Sequence, residues 1–230
     1  MSRLVVVTGG TRGIGAAIAA RFRSLGDTVL APGSAECDVT DEAAVTAYFA
    51  AAGPVDVLVN NAGISSSAPA ARTTSDDWHR QLEVNATGAF FCTRAVLPGM
   101  RERDRGRIVT VASTASHVGY RYTAAYTASK HAALGLVRAV AAELAGTGVT
   151  ANAVCPAFVR TDMTASSVAR IRERTGRSPD DAEAALAAAS PLGRLLEPSE
   201  VAFAVSFLAA PEAAAINGQT LVLDGGGIQS

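Results

Sequence analysis

The stretch "VVVTGGTRGIG", residues 5–15, decides the fold. A β-branched apolar run, Arg3–Thr8, enters a turn holding Gly9, Gly10, Gly13 and Gly15. A helix-like segment, Gly13–Leu25, leaves it and is closed by Gly26. Glycines let a backbone turn tightly and approach a pyrophosphate, and the amides that open the next helix attract an anion. The spacing is T-G-x-x-x-G-x-G rather than G-x-G-x-x-G. With a strand before it and a helix after it, this pattern favours dinucleotide binding over an ordinary strand-to-helix turn.

Outward from the turn, strand-like and helix-like segments alternate. Thr28–Ala31 reads as the second strand. Thr40 can cap a helix that runs through Tyr48 and Phe49. Val55–Asn60, Arg107–Ala112, Val149–Val154 and Gln219–Leu223 read as further strands. Thr74-Ser75-Asp76-Asp77 has capping-box spacing and opens a long helix to about Met100. Ala124–Leu144 and Pro198–Ala209 read as helices, and Ser178 caps another. This alternation predicts an α/β fold, a Rossmann-type doubly wound parallel sheet with helices on both faces. One domain over residues 1–230 accommodates it. Between the second and third strands the chain is too short for a helical crossover. Either the helix is missing and Glu36–Val39 is a short edge strand, or that strand is itself reduced to a loop.

Composition narrows the function. The chain has 230 residues, 49% apolar, with a formal net charge of −1. That balance argues against nucleic acid as a partner. The run Leu4–Val7 is too short for a signal core or a membrane span, so no membrane partner is expected. Cys37, Cys92 and Cys155 are few and far apart, which speaks against a disulfide framework or a zinc site and fits a reducing cytoplasm. His79, His117 and His131 lack metal-ligand spacing, so no metal is expected.

One constellation carries chemistry. Tyr126 and Lys130 stand four apart in a helix and share a face. A tyrosine with a pKa of about 10 exchanges protons poorly at neutral pH, and a neighbouring ammonium pulls that value down. Tyr126 could then give a proton to a carbonyl oxygen or take one from an alcohol, with Ser113 bonding the same oxygen.

The glycine turn, Asn60-Asn61-Ala62-Gly63, Asn85 in the long helix, and Ser113 thirteen positions before Tyr126-Thr127-Ala128-Ser129-Lys130 follow in order. Pro156, Val159, Thr161 and the ending "INGQTLVLDGG" complete the series. Together they resemble the short-chain dehydrogenase/reductase family over nearly the whole chain, in look nearest to 3-oxoacyl-[acyl-carrier-protein] reductases. The resemblance implies an oxidoreductase with Asn85, Ser113, Tyr126 and Lys130 as the catalytic set. Lys130 would also bind the nicotinamide ribose, and Asn85 would anchor a water in a proton relay. Gly9, Thr11, Arg12, Gly13, Ile14 and Gly15 would hold the cofactor, with Asn61, Ala62 and Gly63, and with Pro156, Val159 and Thr161. Asp38-Val39-Thr40-Asp41 resembles the family's D-V-T-D, whose first two residues flank the adenine. The segment 160–191 falls where the family places a mobile substrate lid.

An acid that grips the ribose is absent from Ala31, Pro32 and Gly33. Arg12 could face a 2′-phosphate and Ser34 could donate to it, which points to NADPH. Glu36, swung to the ribose, would instead permit NADH. Ala157 replaces the family's usual glycine, and a positive φ there would be strained. The expected reaction is hydride transfer to a carbonyl, foremost of a 3-oxoacyl thioester. A small alcohol, sugar or steroid dehydrogenase on the same site is the alternative, and a cofactor-binding regulator without turnover is the third reading. Arg101, Arg103, Arg105 and Arg107, with the lid arginines, suggest an acidic acyl carrier protein as partner. The resemblance and the extra apolar positions of the long helices imply a homotetramer.

Overall fold

Side chains along β1 (Leu4–Val7) alternate between two faces, and both faces are buried. The computed structural model describes residues 2–229. After β1 come α1 (Gly13–Ser24), β2 (Thr28–Leu30), α2 (Glu42–Ala52) and β3 (Val57–Asn60). Next are α3 (Ser75–Leu82), a π-helical turn (Glu83–Thr87) and α4 (Gly88–Glu102). Then follow β4 (Gly106–Val111), α5 (Ala124–Glu143), β5 (Val149–Pro156), α6 (Asp162–Thr175), α7 (Pro179–Ala187), α8 (Pro198–Leu208) and β6 (Thr220–Leu223).

Among the described residues, six strands form one sheet in the order β2-β1-β3-β4-β5-β6, with every pairing parallel. Val5, Val7, Val57 and Val59 face Ile18 and Phe22 of α1 and Val201, Val205 and Leu208 of α8. Val6, Leu58 and Ile108 face the other way, onto Phe49 of α2, Cys92, Val96 and Met100 of α4, and Leu144 after α5. The strand order switches between β1 and β3, with β2 on one side of β1 and β3 onward on the other. A crevice opens there at the carboxyl ends of the strands.

The shortened connection takes the second of the two forms anticipated. Residues 31–41 contain turns and no strand, so β2 is itself the sheet edge. Three residues of edge strand offer little template for unwanted pairing. The helix cap also moves: Asp41, not Thr40, accepts from the amides of Ala43 and Ala44. Thr40 is instead bonded to Asp38, whose carboxylate accepts from its amide at 2.9 Å and its hydroxyl at 2.8 Å.

The arginines before β4 lie at the opposite end of the sheet from the crevice. Arg103 donates to the carbonyl of Val55, Arg105 pairs with Asp56 at 2.9 Å, and Arg107 donates to the carbonyls of Gly148 and Ala210. Arg3 joins them, pairing with Asp27 and donating to Ala209. Arg3, Arg103 and Arg107 satisfy loop carbonyls, and Arg105 a carboxylate, at this end of the sheet. Arg3, Arg103, Arg105 and Arg107 are structural clamps and do not form a basic rim to the cleft. No described helix is long and apolar enough to cross a membrane.

Candidate active site

Thr8 at the end of β1 ties the crevice together. Its hydroxyl accepts from the amides of Asn61 and Ala62, both at 3.1 Å. The Asn61 side chain donates back to the carbonyls of Thr8 (2.9 Å) and Gly9 (3.1 Å). Asn61 therefore props the glycine turn with its side chain. Gly15 must lack a Cβ, since one would collide with the Gly9 carbonyl and the Asn61 amide. Gly9 and Gly13 hold positive φ, at 62° and 52°. Arg12 stands at the N-cap of α1 without a side-chain capping bond, and no acid occupies the first turn. Unclaimed amides and a cradle closed to side chains fit the pyrophosphate of a dinucleotide.

The second half of the crevice is catalytic in composition. Ser113 follows β4, and its hydroxyl accepts from the Ala115 amide at 3.1 Å and lies near enough to the phenol of Tyr126 to favour its ionised form. Tyr126 and Lys130 lie one turn apart on α5, with Nζ of Lys130 5.8 Å from the tyrosine ring centre. The ammonium donates to the carbonyl of Val111 at 3.0 Å. Burial brings Lys130 down to about 8. Burial also raises Tyr126 above its ordinary value, with Ser113 acting against it. Lys130 is not among the groups that shift the phenol, so the expected downward pull is not found. Nζ bonds a backbone carbonyl rather than the phenol oxygen, and the desolvated ammonium is itself weakened.

Asn85 sits in the π-helical turn, a distortion often found at functional sites. Its side-chain oxygen accepts from the amide of Ile64 at 2.8 Å, and its nitrogen donates to the Ile64 carbonyl at 3.0 Å and to Ser129 at 2.8 Å. Ser129 donates on to the Tyr126 carbonyl at 2.8 Å. The whole amide is engaged in bracing α5 against the segment after β3. A Cβ on Gly63 would come within 3.1 Å of Asn85 Oδ1, so Gly63 makes room for the Asn85 side chain.

Sequence reasoning missed three supporting residues. Ser116 donates to the Lys130 carbonyl at 2.9 Å. Cys155 on β5 lies behind Ser113 and Ser116, its thiol pushed up to about 11 by burial. Ser129 completes the brace. Small side chains without distinctive spacing gave no signal of these roles.

Beyond β5, Pro156 leads to Ala157, whose φ is not positive, so the alanine is unstrained. Its amide donates to Leu223 at 2.9 Å. Val159 is buried, and Thr161 caps α6. A Cβ on Gly13 would lie 3.3 Å from Thr161 Cγ2, so the root of the α6–α7 segment meets the glycine turn directly. Thr11 and Ser34 are exposed at the adenosine end, as is Asp38. Val39 is buried, and a Cβ on Gly88 would strike it, so its side chain packs on α4. Arg12 makes a loose 3.9 Å pair with Asp162, both side chains about four-fifths exposed. Ile14 is half-buried against the α1–α8 core.

Comparison with known proteins matches this arrangement. A family model described as enoyl-(acyl carrier protein) reductase matches residues 9–227. A putative ketoacyl reductase of Streptomyces coelicolor is 40% identical over 252 aligned positions, covering 98% of this chain and 97% of the relative. A 3-oxoacyl-[acyl-carrier-protein] reductase of Vibrio cholerae is 36% identical, covering 97% and 96%. A variant of actinorhodin polyketide ketoreductase, crystallised with NADPH, superposes with a TM-score of 0.90 at 38% identity, covering 98% and 97%. Since 252 aligned positions exceed 230 residues, the Streptomyces relative has at least 22 residues where this chain has none. The strandless connection after β2 fits such a loss.

Proposed function

Because this chain belongs to the short-chain dehydrogenase/reductase family, we propose that it reduces a ketone with NADPH, foremost the 3-oxo group of an acyl thioester. Its similarity to ketoacyl and 3-oxoacyl reductases supports the substrate class. The neighbour's NADPH, with Arg12 in the glycine turn and no acid on β2, supports the cofactor.

Bound in the glycine cradle, the nicotinamide dinucleotide supplies a hydride. Gly9 to Gly15 receive the pyrophosphate, with Ala62, Gly63, Pro156, Val159 and Thr161 around the rest. Arg12 and Ser34 take the 2′-phosphate. Lys130 bonds the ribose hydroxyls. Ser113 bonds the substrate oxygen and orients it. Tyr126, kept protonated because burial raises its pKa, gives that oxygen its proton. Asn85 acts as a positioning residue through Ile64 and Ser129.

The placement of the Ser113 hydroxyl beside the Tyr126 phenol, with Lys130 one turn further along α5, carries this reading. Two hydroxyls converging on one point suit a single accepting oxygen. The family description names enoyl reduction, in which the reduced bond is C=C. The experiment is a panel of 3-oxoacyl, enoyl, small ketone and alcohol substrates against both cofactors. Turnover foremost of the 3-oxoacyl thioester with NADPH is expected. Enoyl turnover with inert 3-oxoacyl substrates would overturn the reading.

The carrier protein now rests on the lid. Arg172, Arg174 and Arg177 are exposed there, while Arg170 is partly buried on Ser167. Carrier-bound substrate should show a higher kcat/KM than a pantetheine mimic at low salt, with the advantage shrinking as salt rises. A homotetramer is proposed as well, supported by Phe90 on α4 and by Phe203 and Phe207 on α8, which remain exposed.

A further inference from the structure

The turn after β2 brings a carboxylate back to the place where the strand itself has none. Glu36 and Cys37 both direct their amides to the Gly33 carbonyl, at 3.3 and 3.0 Å, which reverses the chain. Glu36 Oε2 then accepts from the Gly33 amide at 2.8 Å. A Cβ built on Gly33 would lie 3.1 Å from Glu36 Oε2 and 3.1 Å from Thr11 Cγ2. The carboxylate and the glycine turn therefore flank one glycine. The Gly10 amide donates to the Pro32 carbonyl at 3.1 Å and locks the two loops together. In dinucleotide folds this corner receives the adenosine ribose, where an acid bonds the 2′-hydroxyl and an arginine accommodates a 2′-phosphate.

We propose that Glu36 is a cofactor-discriminating residue, a carboxylate supplied from downstream that bonds the ribose hydroxyls and opposes a 2′-phosphate. Arg12 acts in the other direction. It is loosely tethered to Asp162 and free to reach a phosphate, whereas Glu36 is fixed by its bond to Gly33. The opposition narrows the preference for NADPH, so that the chain also binds NADH usefully. This rests on the cofactor reading above.

Glu36→Gln is the informative variant, because its amide oxygen still accepts from Gly33 while the charge is gone. Calorimetric titration would compare NADPH with NADH, and adenosine 2′,5′-bisphosphate with AMP, in wild type, Glu36→Gln and Arg12→Ala. Glu36→Gln should shift the ratio of dissociation constants toward the 2′-phosphorylated ligand by about tenfold in both pairs. Arg12→Ala should shift it the opposite way, and salt should shrink both effects. An unchanged ratio in Glu36→Gln with binding intact would overturn the proposal alone. Failure of the wild type to bind either dinucleotide would overturn the cofactor reading and this proposal with it.

Discussion

Burying the Lys130 ammonium destabilises the fold at neutral pH. The folded-state value of about 8 lies below the ordinary 10.5, so the unfolded chain holds that proton more tightly. Stability therefore rises with pH between those values, and the full penalty, about 3 kcal/mol at most, applies below pH 8. Lys130→Met should raise the melting temperature at pH 7 and flatten its rise above pH 8, while activity collapses. A melt at pH 7 showing the variant less stable would refute this. Gly15→Ala makes a second test at this scale. Its methyl would meet the Gly9 carbonyl and the Asn61 amide. Titration should show NADPH weakened by about 30-fold or more, roughly 2 kcal/mol, with the circular dichroism of the fold retained. Undisturbed NADPH binding would show that the cradle is not needed in this form. Ser113, Tyr126 and Lys130 were legible in the sequence because their relation is mostly local, a strand end and one helical turn. The state of their protons was not, because it depends on desolvation by residues distant in sequence.

Between elements, the π-helical turn and α5 are joined by Asn85, which links the Ile64 backbone to Ser129. Asn85→Ala would leave the Ile64 amide and carbonyl and the Ser129 hydroxyl short of partners, a loss of about 1–3 kcal/mol. The melting temperature should fall, and kcat should drop more than KM rises, because α5 carries Tyr126 and Lys130. A stability loss with unchanged kcat would make Asn85 merely structural. The long helix was readable from Thr74, which caps it by accepting from the Asp77 amide, but the π-helical turn within it was not, since the phase shift of one extra residue is small against helices that are apolar on more than one face. The missing crossover was readable from chain length alone. Its outcome, turns with no strand, depended on bonds among Gly33, Glu36 and Cys37. The arginines around β4 were misread for a related reason: a run of cations looks solvated or receptive in sequence, while Arg103 and Arg107 here bond loop carbonyls of Val55, Gly148 and Ala210.

For the whole molecule, the parallel sheet was fixed by alternating segments that are buried on both faces, whereas surfaces left for other copies depend on what remains uncovered. Phe203 and Phe207, 62% and 48% exposed and one turn apart on α8, are the most exposed phenylalanines among the described residues. Light scattering should give four times the 23.4 kDa chain mass. A monomer at micromolar concentration would refute the assembly. The account as a whole stands on a carbonyl reduced at the Ser113–Tyr126 pair. Its most direct test is the rate of NADPH oxidation by acetoacetyl thioester in wild type and Tyr126→Phe, with NADPH affinity measured alongside. Removing one hydroxyl should leave affinity within about twofold and lower kcat by about 10²–10⁴. Wild-type turnover in Tyr126→Phe would contradict the account.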